Sequence, residues 1–388
     1  MVMRKLPRRM RWAVPAAALV ATGGVFAAVQ MPVAQASPSL PARTAAQLLT
    51  DVASAKAPAM SGTVVETAAL GLPAFSGSSA SITSLLAGTH TLQVWYASKD
   101  DFRVSLPGRM SETDLYRHGS TEYLWQSAQN TVTTFIGVPA KPTGFVGVPS
   151  LPEALTPQDA ANDVLAAVGP TTVVGTESNV YVAGKAAYQL VLAPKESGST
   201  ISSVSIAIDA SNSVPLRVQV FGQNSGSPTI SVGFSTVTFA APARGAVSYE
   251  RPADARVSVV NLADQPYHGG LPDGVAMANG KVTADPLPAG SPLAETHTVG
   301  SGWTTVLEVP ASVLNSASLN ASGASSSAAS AGAAALQALL NTELQVHGTW
   351  GSGQLVSSGL LNALITSQTI YIGAVEPSVL YAAAAASS

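Results

Sequence analysis

Alternation of apolar and polar residues with a period of two recurs along this chain and is clearest between Gly184 and Phe221. Tyr188, Leu190 and Leu192, then Val204, Ile206 and Ile208, then Val214, Leu216, Val218 and Val220 occupy every second position. In an extended strand that spacing places each set on one face. Gln189, Ser203, Ser205, Asp209, Arg217 and Gln219 fall on the other face, which predicts three consecutive strands of a sheet with one apolar and one wet side. The apolar side needs a cover. Helices of the chain can supply it alone, or together with a hydrophobic ligand.

Two amphipathic helices are predicted for that role. Thr44 to Ala55 carries Thr44 as N-cap and a stripe of Ala45, Leu48, Leu49 and Val52 at helical spacing. Thr156, Pro157 and Asp159 open the second, which runs through Val164, Leu165 and Val168 to Gly169-Pro170. Further strands are expected at Ser61–Ala69, Thr89–Ala97, Asp101–Leu106, Asp114–Arg117, Thr121–Gln126, Thr131–Ile136, Thr172–Gly175, Val180–Ala183 and Thr229–Phe239. Tight polar turns between them indicate antiparallel pairing. Leu92, Val94 and Tyr96 share one face of their strand, as do Ile230, Val232 and Phe234 of theirs.

Residues 37–250 therefore read as one mainly β domain with helices, interrupted by loops at 71–81 and 137–155. Residues 251–295 are rich in Pro, Gly, Asp and Ala without periodicity and read as a linker. Residues 296–388 read as a small α/β domain. Its strands are expected at Trp303–Val309, Gln354–Ser358 and Thr369–Val375, with a Ser/Ala insertion over 311–331, a helix over Ala333–Leu344 and a last helix from Pro377.

The first residues bear on location. Arg4, Lys5, Arg8, Arg9 and Arg11 precede an apolar run from Trp12 to Val29, and Ala34-Gln35-Ala36 supplies a small-x-small site. This is the pattern of a secretory signal peptide, cleaved after Ala36, and an extracytoplasmic protein of the envelope is expected. Removing it leaves 14 basic residues against 22 acidic ones. A mature chain near −8 has no electrostatic footprint for nucleic acid. There is no cysteine, so neither disulfides nor thiol chemistry enter.

Catalytic patterns are weak throughout. The five histidines, at 90, 118, 268, 297 and 347, have no metal-ligand spacing. No Gly-x-Ser-x-Gly elbow is present, and Gly222–Gly226 and Gly351–Gly353 read as turns rather than phosphate cradles. Asp100-Asp101 reads as a solvated turn. No enzyme, metal or cofactor is expected. The aromatic residues of the strands, Trp95, Phe102, Tyr123, Trp125, Phe135, Tyr188 and Phe234, either fill an ordinary core or line a cavity for acyl chains.

Several motifs point to a family. Asp101-Phe-Arg103, Leu115-Tyr-Arg-His-Gly-Ser-Thr-Glu-Tyr-Leu-Trp125 and Gln129-Asn-Thr-Val-Thr133 resemble the outer-membrane lipoprotein carrier (LolA-like). Gly184-x-x-x-Tyr188 to Pro194-Lys195, Ile206-x-Ile-Asp209 and Pro215-Leu-Arg217 resemble that carrier and the N-terminal domain of the periplasmic regulator of the sigma-E anti-sigma factor (RseB-like). The resemblance covers about residues 40–250. It implies a curved antiparallel sheet, an incomplete β-barrel covered by helices on its concave face, whose cavity accepts lipid or lipoprotein acyl chains. It also implies that Arg103 holds the helical lid. The candidate lining is Leu92, Val94, Tyr123, Trp125, Tyr188, Leu190, Val204, Ile206, Ile208, Val218 and Phe234. A non-enzymatic acyl-chain binder that hands its ligand to a partner such as a transporter leads. The alternatives are an envelope-stress sensor that binds a membrane-bound regulator, an anti-sigma factor, through residues 296–388, and a surface scaffold with a dry core.

Overall fold

The computed structural model describes residues 37–71, 88–138, 156–166, 168–223, 225–261, 277–278, 281–282, 297–312 and 344–387. The candidate signal peptide, most of both predicted loops, much of the linker and the Ser/Ala insertion lie outside these residues. So does the helix expected from Ala333, apart from Leu344, which opens a strand.

Helix α1 (Ala45–Ser54) starts as its sequence predicts. The Thr44 hydroxyl accepts from Gln47 N at 3.2 Å, and the Gln47 side chain accepts from Thr44 N at 2.9 Å, a reciprocal capping box. Leu48 and Val52, one turn apart, are buried. Helix α2 (Pro157–Ala166) places Pro157 in its first turn, and the Thr156 hydroxyl accepts from Asp159 N at 3.2 Å.

Eleven antiparallel strands follow the predicted order: β1 (Met60–Ala68), β2 (Gly88–Ser98), β3 (Asp101–Pro107), β4 (Glu112–His118), β5 (Thr121–Gln126), β6 (Thr131–Ile136), β7 (Thr172–Val182), β8 (Lys185–Pro194), β9 (Ile201–Asp209), β10 (Pro215–Gly222) and β11 (Ile230–Thr238). The two segments expected at 172–175 and 180–183 are one strand, β7, bulged between Glu177 and Val180. It turns into β8 through Ala183 and Gly184, both at positive φ (50° and 74°), the two-residue geometry that matches strand twist. Two meanders, β2–β6 and β7–β11, are joined by β1, which pairs with β2 on one side and β11 on the other. The sheet is curved and open, an incomplete barrel whose edges do not meet.

One end departs from the expected linker. After β11 the chain passes through the short helix α3 (Arg244–Val247) and enters β12 (Arg256–Asn261), which pairs with β6 in parallel. Twelve strands result, in the order β12-β6-β5-β4-β3-β2-β1-β11-β10-β9-β8-β7. The Val257 and Val259 alternation marks this strand, but it lies on an exposed edge amid turn-forming residues, so it has no buried stripe to distinguish it. Met277–Ala278 (β13) and Lys281–Val282 (β14) form a separate two-residue ladder.

The second sheet comprises β15 (His297–Val299), β16 (Val306–Pro310), β17 (Leu344–Gly348), β18 (Gly351–Ser357), β19 (Asn362–Thr366) and β20 (Thr369–Gly373), in the order β15-β16-β20-β19-β18-β17. Helix α4 (Pro377–Ser387) packs Leu380, Ala383 and Ala384 against Val306, Leu355, Leu364 and Tyr371. Both sheets belong to one compact unit, residues 39–388. Their joint is largely main chain: Thr200 N donates to Ala374 O at 3.0 Å, Glu376 N to Gly198 O at 2.7 Å and Gly359 N to Leu70 O at 2.7 Å. The Trp303 indole donates to Thr172 Oγ1 at 2.9 Å beside them.

Candidate functional site

Strand register decides which residues share a face. Reading the Cα partners across the large sheet, Leu190, Ile206, Val218 and Val232 are successive neighbours. The same face continues through Phe234, Val64 and Leu92, and then through Val94, Val104, Leu115 and Leu124. A single apolar face therefore spans the sheet. It is covered in two different ways.

Over β7–β10 the helices fill it. Leu48 and Val52 of α1 and Ala160 and Ala161 of α2 pack with Tyr188, Leu190, Leu192, Val204, Ile206, Ile208 and Val218. All of these are buried, so six of the predicted cavity residues (Tyr188, Leu190, Val204, Ile206, Ile208 and Val218) belong to a closed core. Leu92 and Phe234 join the neighbouring core cluster around Val64.

Over β2–β5 the helices leave a cavity of about 370 Å³. Its apolar wall consists of Ala55, Ala57, Met60, Val94, Tyr96, Phe102, Val104 and Leu115. Arg117 and Glu122 of the sheet, Lys99, and Thr156, Gln158, Asp159 and Asn162 at the start of α2 supply its polar groups. Of the predicted lining only Val94 is present. The others on this wall have a legible signal: Phe102 and Val104 alternate on β3, and the hairpin that pairs His118 with Thr121 sets Arg117 opposite Glu122.

Arg117 and Glu122 are unusual for an apolar face. Both side chains are 4 % exposed, and Arg117 Nη1 donates to Glu122 Oε1 at 2.9 Å while its Nε donates to Gly119 O at 3.2 Å. Burial pushes the Glu122 carboxyl up, and Arg117 pulls it part of the way back. Gln158 donates through Nε2 to Asn162 Oδ1 at 3.0 Å. Its Oε1 is buried without a hydrogen-bond partner. A buried acceptor in that state is costly until a donor reaches it.

Tyr123 and Trp125 require a correction. Tyr123 faces Tyr116 across the ladder, and Trp125 faces Asp114 and Val132. Their register is offset by one from Leu115 and Leu124, so they lie on the opposite side of the sheet from the cavity. Tyr249, which follows α3, stacks on Tyr123 with centroids 4.0 Å apart and meets Tyr116 edge-on at 5.5 Å.

Arg103 is on that opposite side too, which corrects its expected part in holding a lid. Its Nη2 donates to Asp114 Oδ2 at 2.6 Å, and its guanidinium lies 4.8 Å from the Trp95 ring and 5.0 Å from the Tyr116 ring. Tyr116 also donates to Asp114, at 3.2 Å; burial and then Asp114 push its hydroxyl up to about 12. Arg103 thus knits β2, β3 and β4 together. Replacing it by Ala is expected to lower stability by about 1–3 kcal/mol, because the buried Asp114 would lose its cation and keep only the Tyr116 hydroxyl. Ligand affinity measured on the folded variant should be unchanged; a selective loss of affinity would restore the lid role.

The face expected to be wet is also partly buried. Ser205 and Asp209 are covered, and Asp209 turns its Oδ1 into the following turn, accepting from Ser211 N at 2.8 Å and Asn212 N at 3.2 Å. The aliphatic part of Arg217 crosses Gly233, where an added Cβ would stand 2.8 Å from Arg217 Cγ. A small residue on β11 makes room for a long one on β10.

No family model matches the chain, and no curated protein is significantly similar to it. Among solved structures it is similar to the MucA/MucB complex of Pseudomonas aeruginosa, at 13 % identity over 88 % of this chain and 96 % of that one, with a TM-score of 0.39. It is also similar to an uncharacterized conserved protein of Thermus thermophilus, at 13 % identity over 56 % of this chain and 99 % of that one, with a TM-score of 0.32. A LolA superfamily protein of Nitrosomonas europaea is similar at 12 % identity over 54 % of this chain and 99 % of that one, with a TM-score of 0.21.

Proposed function

We propose that this protein is a non-enzymatic, extracytoplasmic binder of lipid or lipoprotein acyl chains. The observation that carries the reading is the cavity over β2–β5, walled by Val94, Phe102, Val104 and Leu115 on the same face that the helices seal over β7–β10. An acyl chain gains about 0.8 kcal/mol per methylene buried there. A chain of about a dozen carbons therefore gains roughly 10 kcal/mol, against an association cost of at least about 4 kcal/mol. The surplus corresponds to reversible binding of the kind a carrier needs, with release to a partner at the envelope.

Native mass spectrometry of the purified mature chain tests this. Co-purified lipid, absent from a folded Val104→Trp variant in which the indole occupies the cavity, is the expected result. A protein that arrives empty and takes up no acylated lipid when challenged would overturn the reading, and capture of a membrane-bound regulator by that empty protein would favour a sensor instead.

A further inference from the structure

We infer that β12 is a dimerisation edge, along which two copies of this chain pair antiparallel about a two-fold axis at Ser258. The interface is separate from the cavity and stands whether or not an acyl chain binds there.

The direction of the main-chain groups comes first. Arg256 N donates to Asn130 O at 2.9 Å, toward β6. Along a strand the N–H and C=O of successive residues point to alternate sides, so Ser258 and Val260 also turn theirs to β6, whereas Val257 and Val259 turn theirs outward. β12 ends the sheet, and among the described residues no strand meets these outward groups. Val257 and Val259 are themselves 44 % and 61 % exposed.

Sheet edges in native proteins carry features that discourage pairing with another chain. The opposite edge has two: β7 is bulged between Glu177 and Val180, and Glu177 and Ser178 are exposed there. β12 lacks both. Its register with β6 is unbroken over all six residues, it contains no proline, and no charge stands between Val257 and Val260.

The side-chain order selects the occupant. Val257-Ser258-Val259 reads the same in both directions, so antiparallel pairing about Ser258 sets each Val257 against the second copy's Val259. Both valines point their N–H and C=O outward, so each Val pair exchanges two hydrogen bonds. Moving the centre by one residue either way leaves one Val pair and sets the other valines against Ala255 or Asn261. Charge permits the arrangement: Arg256 meets the second copy's Val260, and the two Arg256 positions stand roughly 14 Å apart, beyond a screening length of about 8 Å. Two strands of six residues bury less than the about 1,000 Å² that a stable interface clears, so the dimer is weak and reversible.

Sedimentation equilibrium of the mature chain tests this. Dimer is expected to be populated near about 100 µM and dissociated near about 1 µM. Val259→Pro removes an outward N–H and no bond to β6, and Val259→Lys sets a charge against the second copy's Val257. Each should weaken the dimer at least about 10-fold and leave the circular dichroism unchanged. Register is read separately. The chain has no cysteine, and Ser258 faces its own copy in a non-hydrogen-bonded pair with Cα atoms about 4.5 Å apart, close enough for a disulfide. Oxidation with copper phenanthroline should therefore link Ser258→Cys into a covalent dimer at least about 10-fold faster than Arg256→Cys. A dimer indifferent to both Val259 variants, or equal linking rates of the two cysteine variants, overturns the inference. So does a chain that stays monomeric at about 100 µM. In that case lost thermal stability of Val259→Pro assigns the edge to another segment of the same chain, and unchanged stability assigns it to a strand of a different protein.

Discussion

Glu122→Ala is expected to cost about 3–5 kcal/mol of stability, while the double variant Arg117→Met, Glu122→Leu should fold with nearly wild-type stability. The asymmetry follows from burial. Each side chain is 4 % exposed, so removing the carboxylate takes an anionic partner from a buried guanidinium beside Phe102 and Leu115. Replacing both partners by apolar residues of similar size removes the desolvation penalty together with the attraction. Urea unfolding followed by tryptophan fluorescence measures both. A single variant that loses less than about 1 kcal/mol would show that water reaches the pair.

Stability is expected to fall as pH rises from about 4.5 to about 7, by an amount that Glu66→Gln removes. Glu66 stands on the apolar face of β1, between His90 of β2 and Val232 of β11, and its Oε2 is buried without a partner. Burial pushes its carboxyl from 4.5 up to about 7. A folded-state value above the unfolded one means that the folded chain holds the proton more tightly. The stabilisation is therefore complete below about pH 4.5 and is lost as pH climbs through about 7. At about 1.36 kcal/mol per pH unit the interval of about 2.5 units sums to at most about 3.4 kcal/mol. The part of the carboxyl that water still touches reduces this to about 1–3 kcal/mol. Denaturation curves of both proteins at four pH values between 4.5 and 8 give the difference, with other titrating groups cancelling. A constant or rising difference across that range would show that Glu66 is solvated in the folded protein.

These two carboxylates also explain which parts of the molecule were readable from sequence. Strands such as Tyr188–Leu192 and Val204–Ile208 announced themselves because every inward position is apolar. The helix starts were equally plain, since Thr44 with Gln47 and Thr156 with Asp159 have the spacing that caps need. The cavity was harder to read because its wall includes charged residues. In Thr121–Gln126 the inward set is Glu122, Leu124 and Gln126, while the more hydrophobic-looking Tyr123 and Trp125 point the other way. Periodicity alone prefers the aromatic set. Only the pairing of Leu115 with Leu124, fixed across the turn after His118, reverses that choice. For the same reason the most uniformly apolar strands turned out to be the ones the helices close over. β12 escaped notice because nothing buries it on both sides.

The seam between the two sheets has a consequence for how this molecule can diverge. Its bonds from the amides of Thr200, Gly359 and Glu376 to carbonyls across the seam belong to atoms that every residue but proline carries. Exchange of most side chains along the seam leaves that stitching in place, but Gly198 is at φ +103° and a Cβ on Gly359 would stand 3.1 Å from Ala69 O, so these two positions are held to glycine. Proline at any of the three positions removes a donor outright and unpicks a stitch. Among diverged versions of this architecture, the seam should be traceable by an absence of proline at its donors and by glycine at 198 and 359, long after its other side chains have ceased to match.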